Sequence, residues 1–589
     1  MYFPDSAKVG LPVKRHPHKI ESFKQSTTGF FEPNVPFKKR YYAGTKIDYH
    51  FDFFMRCNPM PLPTMGQAYA KFNWYYVPYR TVWKGYNYFR TKTLNPDRNY
   101  NTTTPYISCD DLMAELVNGS VTFVTAGTST DFDFMTGNSY YKFNTLGQQV
   151  YTILCQLGYN VFWKTKDNHK LNALPLLCWA KCMLDNYIPK NWQNLEYTFN
   201  EIYKCFAKTD SYKLAQADLH NILTLSVFAP FEDDYYNVGW NNPASPNYYS
   251  NDSMVGIAAN DSWDNGNGES RNAVSNANTI HHSAAIENMD ENYLPYITQE
   301  DLNYLKAMDK FLKKNQIAGT KYWDRMLVLY GIKPIEAKLD CAELVYSCRE
   351  NVNFGVINSN SATNDAELGD YAGQGQVTNN KDHHIQYECE ADGYLLCITT
   401  VTPIVGYGLG FDHDVLTIYN EEFWVETYDG CGTEAIPAIE LYSGYDLDNY
   451  PNTDLFNCIW DFMPRYAWDK CDINKITGLY NLLSQKSSWE AWTFLRWMNV
   501  DSFSGSYGNE LTPHINLMFN IGRNEGRAGI GVMGYDQFER IFYQEFEHNL
   551  HLYMVIKGVH SDLLKPLYDY EDIIDENDKP VNIEVNTHE

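Results

Sequence analysis

The stretch KIDYHFDFFMR (Lys46–Arg56) decides the fold class. Ile47, Tyr49, Phe51, Phe53 and Met55 alternate with Asp48, His50, Asp52, Phe54 and Arg56. A period of two sends alternate side chains to opposite faces of an extended chain, which is the pattern of a half-buried strand. A proline-rich turn, NPMPLP (Asn58–Pro63), follows. Gln67–Val77 then alternates again, with Ala68, Ala70, Phe72, Trp74 and Tyr76 on one face. Two long aromatic strands joined by a turn open a mainly β domain.

Working outward, strand patterns resume at Gly393–Pro403, in the Asp414–Tyr428 region and at His551–Ile556. The middle is different. LNALPLLCWAKCMLDNY (Leu171–Tyr187) is a compact apolar segment of helical character. Gln299–Gln316 places Leu302, Leu305, Met308 and Leu312 at helical spacing, with Thr298 and Asp301 as a capping box. Strands near both ends thus flank long excursions of helix and loop, an arrangement that jelly rolls tolerate.

With 44% hydrophobic and 16% aromatic residues, the 589-residue chain can bury a large core, which excludes global disorder. No window approaches the roughly 18 uninterrupted apolar residues of a membrane span. Met1–Gly10 lacks a charged start followed by an apolar run, so no secretory signal is expected. The thirteen cysteines are scattered. Cys178/Cys182 and Cys341/Cys348 lack the two-residue spacing of a zinc knuckle, so buried reduced thiols are expected.

The net charge of −26 is unevenly spread. Residues 1–46 hold nine Lys or Arg against three acids, and residues 569–589 hold eight acids against one lysine. A basic N-terminal arm (1–46), an acidic body and an acidic tail (569–589) fit a chain that meets a polyanion with one end only. Pro4, Pro12, Pro17, Pro33 and Pro36 keep the arm extended. In 241–292, 26 of 52 residues are Asn, Ser, Gly or Asp, too polar for a core of their own, so a surface protrusion is expected there.

Several motifs carry no chemistry here. GIGVMG (Gly529–Gly534) matches the dinucleotide fingerprint, but a polar, Gly-rich run precedes it and no βαβ alternation surrounds it. His281-His282 and His383-His384 are adjacent pairs whose side chains point oppositely on an extended segment, so no metal site is assigned to them. No Gly-x-Ser-x-Gly elbow, Walker loop or His-Glu-x-x-His is present.

Three blocks in order resemble the major capsid protein of the Microviridae, small icosahedral phages with single-stranded DNA. The first is VPYR (Val77–Arg80) with Trp83 and Phe89, placed directly after an aromatic strand. The second is LNALP (Leu171–Pro175), followed by DYYN (Asp234–Asn237) and Asn242-Pro243. The third is MPRYAWDK (Met463–Lys470) with Gly478. AGTKY (Ala318–Tyr322), Tyr330-Gly331 and Gly393-Tyr394 support them. Trp468 stands where the family usually has an acid. Residues 110–150 and the acidic tail look expanded, as in a divergent branch.

The resemblance implies a single eight-stranded antiparallel jelly-roll β-sandwich over residues 20–589, with long inserted loops and a few helices. It implies a non-enzymatic virion protein, assembled in the host bacterial cytoplasm as a T=1 icosahedral homo-oligomer around a circular single-stranded DNA genome. Pro78, Arg80, Trp83, Pro175, Pro464, Arg465 and Tyr466 become signature positions of structural importance. The 241–292 segment takes the place of the insertion that protrudes in spikeless members and meets a host surface receptor, with Trp263, Asn265, Asn267, His281 and His282 as its candidate contacts. Inward-facing Lys14, Arg15, Lys19, Lys38, Lys39 and Arg40 would neutralise phosphates, while Phe23, Tyr41 and Tyr42 stack bases. Minor pilot and internal scaffolding or DNA-binding phage proteins are expected partners, and calcium at subunit contacts is one way to offset the acidic charge. The alternative reading is a carbohydrate-binding or glycan-active protein of a gut bacterium, which shares the acidic, Tyr/Trp/Asn-rich composition.

Overall fold

The computed structural model describes residues 15–564 apart from 161–168, 189–196, 226–234, 237–262, 265–269, 272–302, most of 304–321, 332–340, 359–370, 444–458, 482–491, 496–549 and several shorter stretches. Its body is one sheet system of nine strands: β1 (His16–Thr28), β2 (Asn34–Tyr41), β3 (Lys46–Cys57), β4 (Ala68–Pro78), β5 (Glu343–Asn358), β6 (Tyr371–Thr378), β7 (His383–Glu388), β8 (Gly393–Pro403) and β9 (Leu550–Asp562).

Every pairing in it is antiparallel. One layer runs β1–β9–β3 and then β7, with β6 occupying the same place beside the far end of β3. The other runs β5–β4–β8–β2. Strand β5 links the layers, since Glu343–Val352 pairs with β4 and Asn353–Asn358 pairs with β6. Two layers of four places, with strands from both chain ends side by side, form the jelly roll. The expected mainly β fold is the one observed.

The alternation in β3 does what its period requires. Ile47, Tyr49, Phe51, Phe53 and Met55 are buried between the layers against Phe72, Trp74 and Tyr76 of β4 and Leu552, Met554 and Ile556 of β9. Strand β4 is buried on both faces. Its opposite face, with Tyr75 and Val77, packs beneath an insert between β4 and β5. That insert carries α1 (Tyr79–Val82), α2 (Tyr86–Thr91), α3 (Cys109–Asn118), α4 (Thr145–Gln156), α5 (Leu174–Asn186), α6 (Tyr197–Ala207) and α7 (Gln216–Thr224). Helix α5, expected over Leu171–Tyr187, buries every side chain from Leu174 to Asp185. Lys181 pairs with Asp185 at 3.1 Å, and Asp185 accepts the Ala342 N–H at 3.0 Å, which ties the insert to the start of β5.

Two expectations need correction. Asp414–Tyr428 is not a strand: it holds a short helix, His413–Leu416, and a 3-10 turn, Glu426–Tyr428. Its backbone donors are satisfied locally, because the Glu422 carboxylate accepts the N–H groups of Ile418 (2.6 Å) and Tyr419 (2.9 Å) in place of a neighbouring strand. From His16 onward the basic head is extended, but it is part of the sheet and not a separate arm. His16–Thr28 pairs along its whole length with β9, and Asn34–Tyr41 pairs with β8. The helix expected over Gln299–Gln316 lies largely outside the described residues. Among the described residues no helix is long and apolar enough to cross a membrane. No disulfide joins the described cysteines, and burial pushes the Cys57 and Cys389 thiols up to about 12.

Candidate assembly and nucleic-acid surfaces

The segment that sequence periodicity misread concentrates exposed large apolar side chains. Phe411, Val415, Ile418, Tyr419, Phe423, Trp424 and Tyr428 are 45–77% exposed within eighteen residues. Side chains of this size, half to three-quarters in solvent, present on the order of 700 Å² of apolar surface, close to one side of a standard protein interface. Such a concentration of exposed apolar side chains on a folded chain makes the loop a candidate interaction site.

The loop is held rigidly from below. His413 Nδ1 lies 2.6 Å from Glu440 Oε1, and its Nε2 lies 3.5 Å from Glu434 Oε1. Burial lowers the His413 pKa, but hydrogen bonds and charge from Glu434 and Glu440 outweigh it and raise the value to about 9. At neutral pH the imidazole is therefore a cation clamped between two acids. Glu434 Oε2 also accepts the Tyr466 N–H at 3.1 Å, and Tyr466 holds a left-handed backbone with φ 60°. Arg465 lies over the Tyr428 ring at 4.8 Å and the Tyr466 ring at 5.2 Å. Trp468 packs on His413 with ring centres 4.8 Å apart. Lys470 pairs with Asp429, and Lys475 with Asp412, at the two ends of the loop.

The third signature block is thus the foundation of the aromatic loop. Arg465 and Tyr466 grip it, Pro464 ends the strand Ile459–Pro464, and Trp468, which departs from the family pattern, stacks on the clamped histidine. The other signature positions are packing elements. Pro78 closes β4 and precedes α1. Arg80 lies in that helix, and fully buried Trp83 donates Nε1–H to the Asp210 carbonyl at 2.9 Å. Pro175 sits in the first turn of α5, where a missing N–H costs nothing.

Of the six basic residues singled out in the sequence, the five described ones stand in different surroundings. Lys14 lies outside the described residues. Arg15 pairs with Glu388 at 3.3 Å, and Lys19 is exposed on β1. Lys38 and Lys39 are partly buried on β2, and Arg40 is exposed there. Lys38 donates to the Leu157 carbonyl, burial lowers Lys39 to about 8, and Arg40 donates to the Tyr394 hydroxyl at 3.2 Å.

A different basic surface exists. A cleft of about 1010 Å³ opens between β1, β2, β3, β9 and α4. Lys24, Lys38 and Arg56 supply its cationic groups, His551 an imidazole, Phe54, Tyr151 and Tyr553 its rings, and no carboxylate is among the described residues that line it. The register explains the grouping: Arg56, His551 and Thr27 stand in one row across three strands, and Phe54, Tyr553 and Gln25 in the next. Sequence reasoning missed Arg56, His551 and the ring pair, though Phe54 and Arg56 fall on the solvent phase of the β3 alternation. Within 241–292 the described residues are Trp263–Asp264 paired with Ser270–Arg271; Asn265, Asn267, His281 and His282 lie outside them.

A family model described as capsid protein (F protein) matches residues 9–500. The chain is a member of this Microviridae major capsid protein family. It is a structural protein of the virion, built to associate with copies of itself, and not an enzyme; the glycan-active alternative is set aside. No curated protein matches the chain. For a capsid protein the exposed aromatic loop and its rigid base have an immediate use, since a shell subunit must bury apolar surface against its neighbours.

Proposed function

We propose that this capsid protein closes into a T=1 shell around a circular single-stranded DNA genome, and that the Phe411–Tyr428 loop is one of its principal subunit contacts. The observation that carries this reading is the run of seven exposed large apolar side chains on a backbone locked by the His413 clamp. A rigid, pre-formed apolar surface loses little entropy on association. The heterologous contacts needed to close a shell require such surfaces on every copy.

Genome contact falls to the cleft lined by Lys24, Lys38 and Arg56. In a body this acidic, a concave surface with cations, rings and no carboxylate among its described residues fits phosphate and base contacts of low sequence selectivity. The polar 241–292 insertion is proposed to meet the host surface, and minor virion proteins to join the assembly inside the host cell.

The test is particle formation. Ile418→Asp with Trp424→Asp should leave a folded chain of about 68 kDa on size exclusion, while the unaltered chain elutes as a megadalton particle. Normal particles from the double variant would remove the loop from the assembly surface. Deleting Asn247–Glu287 should leave particles intact and reduce adsorption to the host.

A further inference from the structure

The solvent face of β3 and β7 carries a second arrangement. Register places His50 opposite His384, and Asp48 two residues before His50 projects to the same face. The two imidazoles stack with centroids 4.2 Å apart and planes within 5°. His384 Nε2 lies 2.5 Å from Asp48 Oδ1, and His50 Nδ1 lies 3.0 Å from Asp382 Oδ1. One ligand atom from each of Asp48, His50 and His384 falls within 4.8 Å of the others.

We propose that Asp48, His50 and His384 bind a divalent transition-metal ion of the zinc class, which fastens β3 to β7. The donor set decides the class. Two imidazoles and one carboxylate suit zinc and its neighbours, whereas calcium and magnesium take oxygen ligands. Asp382 engages Nδ1 of His50, which leaves Nε2 as the coordinating atom and fixes the ring; a carboxylate behind a ligating histidine does this in many zinc sites. Bonds of about 2.0–2.1 Å in a tetrahedron separate ligand atoms by roughly 3.3 Å. The Asp48–His384 contact therefore has to open by less than about 1 Å, and the stacked rings have to turn so that their in-plane lone pairs converge on the ion, which exposed side chains allow. The adjacent pair His383-His384 divides as its alternation requires. His383 turns inward and stacks on Phe51 with ring centres 5.0 Å apart, so the second imidazole comes from another strand.

The test uses the full chain, stripped with chelator and titrated with Zn²⁺ by calorimetry. One site of micromolar affinity is expected, weakened at least tenfold in His50→Gln and in His384→Gln, and not competed by equimolar Ca²⁺ or Mg²⁺. Unchanged Zn²⁺ binding in both variants overturns the site. X-ray absorption on the unaltered zinc-loaded protein gives a reading that needs no variant. Two imidazoles with oxygen in the first coordination sphere support the assignment; sulfur there means that cysteines hold the metal, and the assignment fails.

Discussion

His413 Nδ1 and Glu440 Oε1 lie 2.6 Å apart at the base of a loop that exposes seven large apolar side chains. Glu440 is buried, and its burial raises its own pKa, which is the cost of placing an acid there. A cationic imidazole between Glu440 and Glu434 offsets that cost. Removing the imidazole would leave Glu440 facing Glu434 with no cation between them, so this one side chain controls the shape of the surface above it.

The first prediction concerns alkali. The folded His413 value, about 9, lies above the ordinary 6.5, so its contribution is complete below pH 6.5 and disappears as pH rises through about 9. The loop should loosen over that window, with a change in the fluorescence of Trp424 and Trp468, and assembled particles should dissociate there. His413→Ala should give the same loosened loop at neutral pH and remove the pH dependence.

The opposite sign holds at the other end of the molecule. His560 Nδ1 meets the Tyr49 hydroxyl at 3.1 Å, and Tyr49 in turn bonds the Tyr41 hydroxyl. Burial, assisted by the charge of Lys39, lowers the His560 pKa to about 4 even though Asp562 pulls it up. A depressed histidine contributes stability above pH 6.5 and loses it as pH falls toward 4. Thermal unfolding should therefore move to lower temperature across that acid window. Tyr49→Phe should cost about 1–3 kcal/mol at neutral pH by stripping partners from His560 and Tyr41.

Two tryptophans separate core from interface. Trp74 is fully buried between the layers, and Trp424 is 53% exposed. Trp74→Ala should destabilise the chain by about 3–5 kcal/mol in denaturant unfolding. Trp424→Ala should change unfolding by less than about 0.5 kcal/mol and still reduce particle yield.

How far the sequence reaches can be judged from particular residues. Ile47 to Met55 announced β3 because one face is dry and the other wet, and Trp74 and Tyr76 announced β4 for the same reason. The α5 core was visible in its dense apolar run, which only Lys181 interrupts before Asp185. The β1 strand was not, because an edge strand alternates only between exposed and half-buried positions, and its lysines gave it the composition of a polyanion-binding arm. Val415 to Tyr428 misled in the other direction. Apolar residues that are exposed follow no core period, so a period-two fit there has no physical basis. The His50–His384 pairing was hidden because it depends on cross-strand register, which no local pattern encodes.

The last prediction concerns the cleft. Lys24 and Arg56 are two of its cationic side chains, and a phosphate chain passing there would shed counterions at each contact. Lys24→Glu with Arg56→Glu should weaken binding of a single-stranded oligonucleotide to the assembled shell protein. It should also flatten the dependence of log affinity on log salt by about 1.4, at about 0.7 for each lost contact on a single strand. Phe54→Ala with Tyr553→Ala should lower affinity by about 1–3 kcal/mol per lost stack and leave the salt slope unchanged, because ring stacking releases no counterions. An oligonucleotide bound through the undescribed N-terminal residues alone would respond to neither pair, and that outcome would move genome contact away from the cleft.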